Sequence, residues 1–474
     1  MKTYRGSQCG RLATAWMLFW LVVSIQGHAA EFSSGKKSQQ VGIATVIGPM
    51  TGAVTQKSAR IWAQIEKIPR QETAEVWIEF RVKAGQEANG RSIQSSARVP
   101  ASAENHWTAN WVLDKLEPGT DYEYQVKWKS STARGASEIS VFKTESLWQY
   151  RSDPPSIRLI AGSCAYTNDP VADRPGQPYG RSSRIYRSMA ARQPDLTLWM
   201  GDNIYFREPD FGDETAMGQR YDKWRSLPDL QPLLRTGSHV ATWDDHDYGP
   251  NDSNASYVHK STSLKLFQRY WANPSYGLPG QPGVFTHHAV SDAEFFILDD
   301  RWYRDSDKLL DDDKQMLGSE QMRWLKNSLL ASNATWKFIV SGSQVLNLNN
   351  RFEGWNRFQN ESQNFFQWLE NQKIPGVIFL SGDRHFSVLL KLERGANYPI
   401  YELNCSPLTA GTYDNPVQDM TNNSRIVDGT VVTKNNFCEI EITGARNDRR
   451  LSASIRDING DAQWTRTIHE TELR

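Results

Sequence analysis

The stretch DLTLWMGDNIY, residues 195–205, decides how the chain folds. Leu196, Leu198, Trp199 and Met200 leave it without a polar face, so a strand here must be covered on both sides, as in a parallel sheet flanked by further layers. The apolar run ends at Gly201 and gives way at once to Asp202, Asn203 and Tyr205. Five other runs share this grammar: IRLIAG at 157–162, HVATW at 239–243, EFFILDD at 294–300, KFIVSG at 337–342 and GVIFLSG at 376–382. Between them, helical spacing runs from Ser183 to Ala191, Ser319 to Leu330 and Glu361 to Glu370, with apolar residues such as Met189, Leu325 and Phe365 on one face. Residues 156–474 are therefore expected to form a layered α/β domain with helices covering a sheet.

Working upstream, residues 41–148 read differently. AEVWIEFRV (74–82), NHWTANWVL (105–113) and DYEYQVKW (121–128) are short β-rich runs, and helical periodicity is absent. Pro118-Gly119 makes a turn that sets Tyr122 and Tyr124 on one face of the next strand, which resembles the corner of an immunoglobulin or fibronectin-III sandwich. An N-terminal all-β sandwich is therefore expected, bounded by the polar, proline-bearing Arg151-Ser-Asp-Pro-Pro. Residues 1–30 read as a signal peptide: Lys2, Arg5 and Arg11 precede an apolar run from Ala13 to Ile25, and Ala29 or Ala30 offers a cleavage position. That run is short of the ~20 residues a membrane span needs. The expectation is an exported protein, periplasmic or extracellular, with no membrane span.

Lys+Arg and Asp+Glu both number 54, which argues against nucleic acid as a bulk polyanion partner. Cys164, Cys405 and Cys438 remain after the leader is removed, so at least one thiol lacks an intrachain partner. Cys405 and Cys438 both lie in strand-like segments and can pair, which would leave Cys164 free; sequence alone does not fix the connectivity.

Each buried run stops in a polar cluster, and these supply Cys164, Asp202, Tyr205, Asp244, Asp245, His246, Asp247, Arg301, Gln344, Asp383 and His385. In layered α/β sheets, ligands bind at the carboxyl ends of the strands. One such cluster is a polar loop; six in succession point to a constructed site. Carboxylates and an amide suit hard cations, whereas thiolate, phenolate and imidazole favour a transition ion, with phenolate pointing to ferric iron. A mixed set implies more than one metal. Two adjacent cations can lower the pKa of a bridging water and neutralise phosphoryl oxygens, and Arg301, Arg304 and Arg384 can clamp a phosphate. His106, His239, His259, His287 and His288 read as ordinary polar residues. There is no GxSxG elbow and no phosphate-cradling Gly-rich loop.

GSC at 162–164, WMGDNIY at 199–205, TWDDHDYGPND at 242–252, LDDRWYR at 298–304, SGDRH at 381–385 and NCSPLT at 404–409 together resemble the alkaline phosphatase D (PhoD-like) family of secreted metallophosphatases. The resemblance implies a metallophosphatase domain and hydrolysis of phosphate esters by metal-activated hydroxide. It implies that Cys164, Asp202 and Tyr205 hold ferric iron, that Asp202 bridges to calcium, and that Asp383 and His385 complete the metal shell. Asn251 or Asp245 would supply a calcium ligand, His246 would be the active-site histidine and Arg301 the phosphate-contacting arginine. Zinc or manganese would also suit these ligands. The substrate is expected to be a small-molecule or lipid phosphate ester. Alternative readings are a phosphodiesterase or phospholipase-D-like hydrolase, and a non-catalytic exported binding protein. The sequence departs from the family in having no twin-arginine pair ahead of the leader's apolar run, and Asp247 where a Glu is common.

Overall fold

The computed structural model describes residues 46–66, 72–83, 92–349, 351–395, 397–413 and 423–474, so the leader at 1–30 and residues 41–45 lie outside the described residues. Every apolar run singled out above is a strand. Ile157–Gly162, Leu196–Met200 and Ser238–Thr242 run parallel in the middle of a nine-stranded sheet. Asn436–Thr443, Arg450–Asp457 and Ala462–His469 extend that sheet antiparallel on one side. A six-stranded sheet holds Ala293–Ile297, Trp336–Val340, Val377–Ser381 and Asn397–Asn404 as parallel neighbours, with Thr286–Val290 and Val388–Arg394 at its edges.

The expected single covered sheet is thus two sheets packed face to face. Leu159, Leu198, Met200 and Val240 of one meet Phe295, Phe338, Val340 and Leu380 of the other in one buried cluster. Helices cover the outer faces. Arg184–Ala191, Glu214–Arg225 and Lys260–Tyr270 place Met189, Trp224 and Phe267 against Ile160, Trp199 and Ala241. Ser319–Ala331 and Gln359–Gln372 place Leu325, Leu329 and Phe365 against Phe296, Ile339 and Phe379. Strands sandwiched in this way are apolar on both faces because each touches a helix on one side and the other sheet on the other.

The described residues before 150 are all-β apart from one 3-10 turn, Ala103–Asn105, and the α-helices among the described residues begin at Arg184. Ala74–Val82 and Asp121–Lys129 form the centre of a separate antiparallel sheet. Its inner face, with Val76, Ile78, Tyr124, Val126 and Trp128, packs on Ile61, Trp111 and Leu113. The second layer of this sandwich is shared with the nine-stranded sheet. Val46–Val54 pairs parallel with Ser238–Thr242, Thr51 opposite Ser238, so Val46–Val54, Ala59–Ile65 and Thr108–Leu113 continue the nine-stranded sheet. The Trp62 indole also donates to the Arg269 carbonyl at 3.0 Å, tying this segment to a helix of the α/β region. Among the described residues no helix is long and apolar enough to cross a membrane.

Candidate metal centre

The parallel strands of both sheets end at the same place, and the chain turns sharply there. Cys164, Asp202, Asp383 and His385 all adopt left-handed backbone with φ of 59°, 52°, 71° and 55°. Four non-glycine residues in this region within one cluster mark a strained, over-determined site. Two glycines let the loops close. A Cβ at Gly201 would lie 2.5 Å from the Asp244 Cβ, and one at Gly382 would lie 2.4 Å from the Ser163 hydroxyl.

Asp202 is the hub. Its Oδ2 accepts the Tyr205 hydroxyl at 2.9 Å and lies 3.7 Å from the Cys164 Sγ, while Oδ1 accepts the His246 backbone N–H at 3.2 Å. The Tyr205 hydroxyl is also 3.4 Å from the His385 Nε2. Three sets of side chains bring their donor atoms within 4.8 Å of one another: Cys164, Asp202 and His385; Asp202, Asp245 and His246; and Asp244, Asp245 and Glu353. Asp202 belongs to the first two and Asp245 to the last two, so the sets adjoin.

The His385 Nδ1 lies 2.7 Å from the Gly411 carbonyl, which can only accept. Nδ1 therefore carries the proton, and Nε2 is left with its lone pair turned toward Tyr205. The His246 ring stacks obliquely on Tyr205 with centroids 4.2 Å apart. Asp247 serves the backbone instead. Its carboxylate accepts the backbone N–H of Asp244 at 2.7 Å and of Asn203 at 3.1 Å, and the Asn203 amide at 2.7 Å. It laces the two strand-end loops together.

Electrostatics show what this arrangement lacks. Burial, then the nearby Asp245 carboxylate, pushes Asp202 well above the usual carboxylate range. Burial pushes Asp383 up to about 7 and the Cys164 thiol up to about 11, and the Tyr205 phenol rises through burial and the charge of Asp202. Asp245, although buried, is held down to about 2 by His246 and Arg301. Asp383 Oδ2 and Asp244 Oδ2 are buried without a protein partner. Crowded carboxylates with orphaned oxygens are costly unless a cation sits among them. The donor set fits metal ions.

The residues singled out in the sequence are not all gathered here. Cys164, Asp202, Tyr205, Asp245, His246 and His385 are, and Asp383 faces the same cluster, its charge raising the pKa of both Asp202 and Cys164. Asn251 lies exposed on the turn after the short helix Asp245–Tyr248. Arg301, expected to contact phosphate, is 0% exposed and lies among carboxylates. Its guanidinium binds Asp244 Oδ1 through Nε at 2.7 Å and both Glu353 oxygens at 2.6 and 2.8 Å. Arg304 joins the same network, 3.2 Å from Glu353 and 2.8 Å from Asp307. Arg384 lies over the Phe352 ring at 4.2 Å. Glu353 gives no signal in the sequence, because a single Glu in a polar loop carries no local signature. The same holds for Tyr179, whose hydroxyl is 2.9 Å from the His385 Nδ1.

Two facing sheets flanked by helices, with a metal-competent cluster where their parallel strands end, define a metallophosphatase-like fold. The solved structure of PhoD shares it with a TM-score of 0.71 at 18% identity, covering 90% of this chain and 91% of that one. Purple acid phosphatase PPD1 from yellow lupin (Lupinus luteus) seeds shares it with a TM-score of 0.63 at 11% identity, covering 90% and 74%. The particular resemblance is to the PhoD-like phosphatases, whose family model matches residues 280–455. Alkaline phosphatase D of Bacillus subtilis (strain 168) is 25% identical over 328 residues, 58% of this chain and 52% of that protein. The matched region thus spans about half the length of that curated relative.

Proposed function

We propose that the protein is an exported, metal-dependent phosphoric ester hydrolase of the alkaline phosphatase type. The observation that carries this reading is the adjoining sets of Cys, His and carboxylate donors at the strand ends, with the Tyr205 hydroxyl bonded to Asp202 beside them and two buried carboxylate oxygens left unpartnered. Cys164, Asp202, Tyr205 and His385 would hold a ferric ion, and Asp202, Asp245 and Asp383 would hold calcium, with Asp245 rather than the exposed Asn251 as the ligand from this loop. When bound, such ions lower the pKa of water and neutralise charge on phosphoryl oxygens. The chain's own part is positioning: the Gly411 carbonyl fixes the His385 tautomer, and Asp247 fixes the loops bearing Asp202 and Asp244. His246, stacked on Tyr205 at the edge of the cluster, would hold a proton for the leaving oxygen. Arg301 acts from behind, holding Asp244 and Glu353.

Export is supported by the Cys405–Cys438 disulfide, since such bonds persist in oxidising compartments, together with the leader-like residues 1–30. An immunoglobulin-like reading of the all-β segment rests on the Tyr122 hydroxyl, which accepts the Glu117 N–H at 2.8 Å across the turn. Hydrolysis of a phosphomonoester and of a phosphodiester, each with and without chelator, tests the function. Chelator-sensitive turnover of the monoester is expected. Turnover of the diester alone would favour a phosphodiesterase, and no turnover after iron and calcium are supplied would favour a binding protein.

A further inference from the structure

The loop from Cys405 to Gly411 touches both halves of the candidate metal centre. The Ser406 hydroxyl accepts the His385 backbone N–H at 3.0 Å and donates to the Cys164 Sγ at 3.1 Å. The Thr409 and Ala410 N–H groups both donate to the Cys164 carbonyl, at 3.1 and 2.9 Å, and Leu408 N–H donates to the Ser163 carbonyl at 2.8 Å. At its far end, the Gly411 carbonyl receives the His385 Nδ1–H at 2.7 Å. One short loop therefore fixes the two residues whose left-handed backbone would otherwise relax.

The root of this loop is covalently set. Cys405 follows the strand Asn397–Asn404, which pairs with Val377–Ser381, the strand leading to His385. Cys438 lies opposite Ala161 in Asn436–Thr443, the neighbour of the strand leading to Cys164. The disulfide joins the flanking strands of the two ligand-bearing strands, and so crosses from one sheet to the other beside the site. The Ser163 hydroxyl donates to the Cys405 carbonyl at 3.1 Å, closing the circuit.

We propose that Ser406 is a positioning residue for the metal centre, orienting Cys164 and withdrawing charge from its sulfur, and that the Cys405–Cys438 disulfide keeps Ser406 in register across the two sheets. This rests on the metal reading given above. Hydrogen bonds to a ligating sulfur tune what it donates to a metal, and partners of this kind typically change metal affinity by about 10–100-fold when removed.

The test compares the natively purified protein with Ser406→Ala, Ser406→Thr and the Cys405→Ala/Cys438→Ala pair, reading metal retained against chelator and the visible charge-transfer band. Ser406→Ala should lose metal about 10-fold faster or more, with the band at longer wavelength because the sulfur is no longer hydrogen-bonded. Ser406→Thr, which keeps the hydroxyl, should match the parent. The paired cysteine variant, if it still melts cooperatively, should shift in the same direction as Ser406→Ala. A parent with metal and band, matched in both by Ser406→Ala, would overturn the role of Ser406. A cooperatively folded cysteine pair variant that behaves as the parent would overturn the role of the disulfide. A parent with neither metal nor band would instead overturn the metal reading itself.

Discussion

The weight of the site rests on single carboxylates held where they would not choose to be. Asp202 is buried against Asp245 and Cys164, and Asp383 leaves one oxygen unpartnered, so without a cation both are driven toward the protonated form. Asp202→Asn and Asp383→Asn should therefore each abolish most chelator-sensitive hydrolysis while folding normally. In chelator the variants should melt at or above the parent temperature, because a buried charge has been removed; the added stability that bound metal gives the parent should be missing. Thermal melts with and without chelator check both halves. Most of these residues can be read in the sequence because each sits one to three positions past a dense apolar run, where a strand must exit its sheet. Arg301 sits in such a position too, and its type suggests a phosphate clamp. Only the packing shows that its partners are Asp244 and Glu353.

At the scale of elements, the loops after the strands do the assembling. Glu353 comes from the loop after Trp336–Val340 and meets Arg301 from the loop after Ala293–Ile297 and Asp244 from the loop after Ser238–Thr242. With Arg301 at 0% exposure and Glu353 at 6%, Glu353→Ala would leave the buried guanidinium with Asp244 as its close carboxylate partner and two of its hydrogen bonds unmade. A loss of roughly 1.5–3 kcal/mol in unfolding free energy is expected, read from denaturant titration. A change under about 0.5 kcal/mol, the range of an ordinary surface substitution, would contradict the network. Loops that meet across two sheets leave no periodic trace, so this part of the site is not legible in the sequence. The strands are, because a short apolar run with no polar face, bounded by turn residues, fits a strand covered on both sides. The helix Glu214–Arg225 is hidden because its buried face includes Gly218, Arg220 and Arg225, which blur an apolar stripe.

Across the whole molecule, the sequence pattern changes near residue 150 while one sheet holds strands from both sides of that change. Alternating strands give way to fully apolar ones there, yet Val46–Val54 pairs with Ser238–Thr242, a partner nearly two hundred residues away that nothing in its own sequence specifies. The pairing makes Val46–Val54, Ala59–Ile65 and Thr108–Leu113 one body of sheet with strands of the α/β region, while Ala74–Val82 and Asp121–Lys129 stay in a sheet of their own. That body buries His239, whose Nδ1 accepts the Trp199 indole N–H at 3.1 Å while Nε2 faces the Leu233 carbonyl at 3.1 Å, so the ring is held neutral and burial pushes its pKa down to about 3 from 6.5. Below pH 6.5 the unfolded chain takes up a proton at this ring that the folded chain refuses, so stability falls as pH falls from 6.5 toward 3. Between pH 6.5 and 5 the loss should be about 2 kcal/mol, and His239→Asn, which keeps an acceptor for Trp199 but does not titrate, should show a correspondingly flatter pH dependence.

Everything proposed for the chemistry depends on the cluster at the strand ends being a metal centre. Elemental analysis of the natively purified protein, set beside Asp202→Asn purified in the same way, tests that most directly. Iron together with a second, calcium-like ion in the parent, and loss of both in the variant that removes the residue common to the two adjoining sets, is the predicted result. A parent that is free of metal yet hydrolyses phosphate esters, or a variant with the parent's full metal content, would contradict it.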